Sequence, residues 1–250
     1  MTDPPAALVI RGLVRRYGSF TAVDGLDLEV RAGEILGFLG PNGAGKTTTL
    51  RCAAGLSRPH AGSIVVAGFP LDREPRRAKA ALGFVPDRPF LYSRLSGREF
   101  LELIGALYDV PAAEARKRGD RLLDRLEMGR AGNDLIESYS LGMRQKVAVA
   151  AALLHDPALL LLDEPLIGLD PQGARTLKDL LRERAAEGKG VLVSTHLLEV
   201  AERLCDRAVI LHHGRLRASG TLFELQACAA EKTLEDVFLA LTREDEGPRE

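Results

Sequence analysis

The chain has 250 residues, 46% of them apolar and 28% charged, which is enough to bury the core of one large domain. Its formal net charge of −1 gives no basic footprint, so no nucleic-acid partner is expected. Cys52, Cys205 and Cys228 are too scattered for a disulfide framework or a metal site, and read as idle or buried thiols in a reducing compartment. Met1-Thr2-Asp3-Pro4-Pro5 lacks the basic opening of a signal peptide. The longest apolar run, Val147 to Leu154, is far short of the ~20 residues of a bilayer span. The expectation is a soluble protein that reaches a membrane only through a partner.

In chain order, Ala7–Ile10 and Leu26–Val30 read as short strands, the second alternating apolar and polar. Ile35–Leu39 is apolar throughout, as a strand buried on both faces would be. Ser63–Val66 and Leu82–Val85 read as two more. From about Asp87 to Leu154 the pattern turns helical. Ser96 with Glu99 forms a capping box before one helix, Ala112 to Leu126 covers a second, and a third begins near Leu141. The block reads as an inserted helical lobe. Leu159–Leu162 and Val191–Ser194 are again strand-like. Asp170-Pro171 opens a helix, with Asp as cap and Pro at the first helical position. Leu197–Leu204 is helical, Arg207–Ala218 a hairpin turning at His213-Gly214, and Thr233 starts a last short helix. The charged end from Thr242 reads as frayed.

Gly40-Pro41-Asn42-Gly43-Ala44-Gly45-Lys46-Thr47 fits the phosphate-binding pattern G-x-x-x-x-G-K-[ST], between a buried strand and the helical Thr48-Thr49-Leu50-Arg51. Inward backbone N–H groups and a helix N-terminus suit phosphate oxygens. Lys46 would neutralise the outer phosphates, the Thr47 hydroxyl would ligate Mg²⁺, and Thr48 completes the expected ATP contacts. Leu159-Leu160-Leu161-Leu162-Asp163-Glu164 ends a strand in two acids, expected beside the P-loop strand and pointing opposite ways. Asp163 would hold the Mg²⁺ shell and Glu164 would polarise the attacking water. His196, past the next strand, could hydrogen-bond the γ-phosphate. His60, His155, His212 and His213 read as surface or hairpin residues.

Tyr139-Ser140-Leu141-Gly142-Met143-Arg144-Gln145-Lys146-Val147 resembles the signature L-S-G-G-Q of ATP-binding-cassette (ABC) ATPases, matching at Ser140, Gly142, Gln145 and Val147. The degenerate form is similar to cassettes that serve type-2 exporter permeases, and the resemblance covers nearly the whole chain. Ser140 and Gly142 stand at a helix N-terminus, which is a second anion site, although Ser140 also suits an ordinary cap. One P-loop with two phosphate-binding elements suggests a dimer, homodimeric on the completeness of the elements.

The resemblance implies an α/β fold: a P-loop NTPase core, with a mixed sheet flanked by helices and an N-terminal antiparallel β part, plus an inserted helical subdomain. It implies one domain over residues 1–250, the helical insert at about 87–154 and a short C-terminal helix at about 233–241. Tyr17 would stack on adenine with Val23 as an apolar wall. Ser140, Gly142, Met143 and Asp170 would reach ATP across the dimer, Asp170 also serving as a cap. His196 matches the switch histidine. Asp87 stands where the family has Gln, as a candidate Mg²⁺ contact; an ionised carboxylate cannot donate a hydrogen bond as Gln does. The implied function is an ATP-binding and ATP-hydrolysing subunit of an exporter, using ATP and Mg²⁺. It would work through ATP-dependent dimerisation and a separate permease docked on the helical subdomain, at the cytoplasmic face of the membrane. Phe90, Leu91, Tyr92 and Leu95 are docking candidates, or pack the lobe's own core. A soluble ABC ATPase acting on a macromolecular complex is the alternative.

Overall fold

The computed structural model describes residues 6–229 and 233–243. Met1–Pro5, the Cys228 side chain and the tail beyond Arg243 lie outside them. Two long antiparallel strands open the chain, β1 (Ala6–Tyr17) and β2 (Phe20–Arg31). They are longer than the sequence pattern suggests because register shifts absorb the breaks in alternation. Then follow β3 (Ile35–Leu39), α1 (Lys46–Ala53), β4 (Ala61–Val66), β5 (Phe69–Pro70), α2 (Pro75–Ala80) and β6 (Leu82–Val85). Strands β2-β1-β4-β5 make a four-stranded antiparallel sheet.

From β6 the chain passes through α3 (Gly97–Leu107), α4 (Ala112–Arg125) and α5 (Leu141–Leu153) before β7 (Leu159–Asp163). The Ser96–Glu99 capping box forms in both directions, at 3.2 and 2.8 Å. Next come α6 (Pro171–Ala186), β8 (Gly190–Thr195), α7 (Leu198–Leu204), β9 (Arg207–His212), β10 (Arg215–Thr221), α8 (Leu222–Ala229) and α9 (Leu234–Arg243). Thr242 is not frayed: it lies in α9, and its hydroxyl donates to the Phe238 carbonyl at 2.7 Å.

The second sheet has the order β10-β9-β3-β8-β7-β6, parallel except for β10. The acidic strand β7 is therefore not beside the P-loop strand β3; β8 lies between them. Alternation on these strands feeds two cores. Leu160, Leu162, Val191 and Val193 face one cluster with α5 and α6. Leu159, Leu161, Leu192 and Phe38 face the other, with α1 and the antiparallel sheet. Burial on both faces is why β3, β7 and β8 are apolar at almost every position. Among the described residues no helix is long and apolar enough to cross a membrane.

Candidate functional site

The P-loop turns out of β3 at the carboxyl edge of the parallel strands and runs into α1. Gly45, just before α1, has φ +108°, and a Cβ there would lie 2.4 Å from the Ala22 carbonyl oxygen. Only glycine fits both constraints. Ala22 is the extra residue of a bulge: Arg15 pairs with Val23 and Arg16 with Thr21. The β9–β10 turn supports the loop from below, where the Gly214 N–H donates to the Ala44 carbonyl at 2.9 Å.

Lys46 is buried, and its Nζ donates to the carbonyls of Gly40 at 2.6 Å and Pro41 at 3.1 Å. Burial lowers its pKa, against the opposing pull of Glu164 and Asp163. The Thr47 hydroxyl donates to Asp163 Oδ2 at 2.7 Å, tying the two sides of the site together. That donation leaves the hydroxyl's lone pairs free. Burial pushes the Asp163 carboxyl above its ordinary range; the Thr47 and Ser194 hydroxyls pull the other way, and the nearby Asp87 and Glu164 charges add to the rise.

A cavity of about 280 Å³ lies over these groups, lined by Asn42 to Thr48, Tyr17, Phe20, Ala22 and the three acids Asp87, Asp163 and Glu164. Both members of the acidic pair face it, contrary to the opposite orientations expected from strand alternation. The strand ends at Asp163, and Glu164 has φ +49°, which turns its side chain back toward the cavity edge. Glu164 Oε1 accepts from the His196 N–H at 3.0 Å and lies 2.7 Å from His196 Nδ1; Oε2 accepts from the Thr195 hydroxyl at 3.1 Å. His196 is thus engaged with Glu164 and is absent from the cavity lining.

Tyr17 lines the cavity with the Arg15 guanidinium 4.7 Å from its ring centre. Val23 does not line it. The bulge turns Val23 into the core, fully buried, so Ala22 and Phe20 form the apolar wall instead. Phe20 and Thr195 carry no motif, and nothing in the sequence marks either; Phe20 is exposed where β2 begins. Of the other histidines, His155 is no surface residue: it stacks on Tyr108 at 3.7 Å, and burial lowers its pKa. His212 is buried in β9.

Ser140, Gly142, Met143 and Asp170 do not line the cavity. Ser140 caps α5, its Oγ accepting from the Met143 N–H at 3.3 Å. Asp170 caps α6, accepting from the Gly173 N–H at 2.9 Å. The two caps are neighbours, since a Cβ on Gly142 would lie 2.6 Å from the Gly168 carbonyl oxygen. Leu141 and Ile167 are exposed there.

The oxygen-only donor set of Thr47 and Asp163, with further acids beside it, fits a hard divalent cation. The net negative charge of three carboxylates against one lysine is what such a cation would offset. Among the described residues no group of three His, Cys, Asp or Glu is placed to hold a metal ion.

A family model described as ABC transporter matches residues 23–167. The chain belongs to the ABC transporter family. It is 42% identical over 221 residues to the daunorubicin resistance ATP-binding protein DrrA3 of Streptomyces coeruleorubidus, covering 88% of this chain and 70% of that one. With the Nod factor export ATP-binding protein I of Ralstonia nicotianae it shares 41% over 218 residues, covering 87% and 68%. A solved ATP-binding subunit of an ABC transporter superposes with a TM-score of 0.89 at 34% identity, covering 94% of this chain and 99% of that one. This ABC protein is an ATP-binding, ATP-hydrolysing transporter subunit.

Proposed function

We propose that this ABC subunit hydrolyses ATP in the cavity over Lys46, Thr47 and Asp163, and works in pairs to drive a membrane permease that exports its cargo. The observation that supports this reading is that the P-loop and the acids share one cavity, while Ser140, Gly142 and Asp170 stand outside its lining, with Gly142 against the Gly168 carbonyl two residues before Asp170. A second copy would bring those residues to the first copy's nucleotide, and solved relatives include dimeric cassettes.

In this reading the loop N–H groups from Asn42 to Thr48 and the N-terminus of α1 hold the phosphates. Lys46, now bonded to loop carbonyls, exchanges them for phosphate oxygens. Tyr17 stacks on the base with Phe20 and Ala22 beside it. Thr47 and Asp163 would hold Mg²⁺, which supplies charge neutralisation between the outer phosphates. Glu164 accepts a proton from the attacking water, and Asp87 extends the acidic rim toward the cation. His196 swings from Glu164 to the γ-phosphate on closure. Ser140 and Gly142 N–H groups reach the partner's ATP, with Met143 and Asp170 flanking them. Loss of the bridging phosphate reopens the pair.

The three-helix segment between β6 and β7 is the proposed subdomain for permease docking. A groove of about 440 Å³ lies between it and the core, lined by Phe84, Phe90, Leu91, Phe100, Ile104 and Tyr108. Leu91 and Leu95 pack against the core, whereas Phe90 is 86% exposed and Tyr92 54%. Asp87 lines both groove and nucleotide cavity, and so sits where docking and ATP could be coupled. Copurification from detergent extract is the test. A multi-span hydrophobic subunit should come with the cassette, and Phe90→Asp should weaken that association ~30-fold or more while leaving ATP binding intact. Ribosomes, or no membrane subunit at all, would favour a soluble ABC factor instead.

A further inference from the structure

We infer that Thr195 is a positioning residue for hydrolysis, holding the Glu164 carboxylate in the orientation that presents one oxygen to the attacking water. The inference rests on the reading of Glu164 as the base. The geometry is specific. Glu164 leaves β7 with φ +49°, and its N–H donates to the Ser194 carbonyl at 2.9 Å, so its backbone is fastened to β8. Its side chain is then held by the next two residues of the same strand end.

Donor bookkeeping fixes the Thr195 hydroxyl. The Leu197 N–H donates to Thr195 Oγ1 at 3.1 Å, and an N–H can only donate. The hydroxyl's own hydrogen is thus free for Glu164 Oε2, an acceptor when ionised, 3.1 Å away. Thr195 is 2% exposed, so water does not compete for either bond. The two carboxylate oxygens are held unequally. Oε1 faces two His196 groups, whereas Oε2 has Thr195 as its donor and keeps a lone pair for water. The His196 side chain is 44% exposed and can turn away toward a phosphate. Thr195, buried at the end of a strand, would then still hold the carboxylate. A carboxylate that rotates freely loses the near-attack geometry on which general-base catalysis depends.

Turnover measured for Thr195→Val, Thr195→Ser, Glu164→Gln and the Val–Gln double variant tests this. Thr195→Val should lower kcat roughly 10- to 100-fold, with KM for ATP within about twofold of wild type. Thr195→Ser, which keeps both hydrogen bonds, should recover most of kcat. In the Glu164→Gln background, Thr195→Val should change the residual single-turnover rate by less than about twofold, because the group it positions is already gone. A general structural defect would lower both backgrounds alike. If the Val variant does not fold, Thr195→Cys, a weak donor of similar size, takes its place with the same expectation. Wild-type kcat in Thr195→Val, a Ser variant as slow as Val, or equal losses in both backgrounds would overturn the inference while leaving Glu164 as base. Undiminished turnover in Glu164→Gln alone would instead remove the reading on which it rests.

Discussion

The Glu164→Gln cassette should bind Mg-ATP and release phosphate ~10²- to 10⁴-fold more slowly than wild type, the range that a positioned general base contributes. Glutamine preserves the size of the side chain and one oxygen acceptor, which serves either Thr195 or His196, since in Glu164 the two donors bind different oxygens. What it loses is the ability to take up the proton of water. The fold should therefore be unchanged, and ATP, no longer consumed, should accumulate at the interface between two copies. Light scattering is expected to show a dimer with Mg-ATP and a monomer with ADP. A variant that turns over at the wild-type rate would take Glu164 out of the chemistry and leave its two neighbours' hydrogen bonds as purely structural.

Asp163→Asn should do two opposite things: abolish turnover and stabilise the nucleotide-free protein. The folded-state pKa of Asp163 is raised by burial. For an acid this means that the fold favours the protonated form. The associated stability is complete below the unfolded value of about 3.9 and is lost as pH rises through the raised folded value. At neutral pH an ionised Asp163 carboxylate is a net cost to the nucleotide-free protein, which Mg²⁺ would offset in the proposed reading. Asparagine removes the charge and still accepts from Thr47. The melting temperature at pH 7 should rise by about 2–4 °C for each kcal/mol gained in a chain of this size, and the gain should shrink in acid. Added Mg-ATP should stabilise wild type and leave the variant nearly unmoved. A lower melting temperature at pH 7 would mean that the Thr47 bond and the neighbouring donors outweigh the desolvation of the charge.

Local signals carried far in this sequence. The caps at Ser96 and Asp170 form as written because capping is decided within four residues. The nearly all-apolar β3, β7 and β8 were legible because two cores leave no polar face. The short helix α2 and strand β5 were missed because six and two residues give no period to read. Long-range facts were hidden as well. Nothing in the run Leu159–Glu164 says that β8 will lie between it and β3. The bulge that sends Val23 inward and Ala22 to the cavity depends on which residue of β1 each one meets. Thr195 carries no motif because a threonine at the end of a strand is ordinary until a carboxylate from another strand arrives beside it.

The proposed function requires a triphosphate held over Lys46 and Asp163, and titration of Mg-ATP into the purified chain measures this directly. One nucleotide per chain should bind with a dissociation constant below the millimolar ATP of a cell. Lys46→Ala, which removes a buried charged donor, should weaken it ~10- to 100-fold. Folded protein that takes up no Mg-ATP at millimolar concentration, or that binds it equally well without Lys46, would contradict the account.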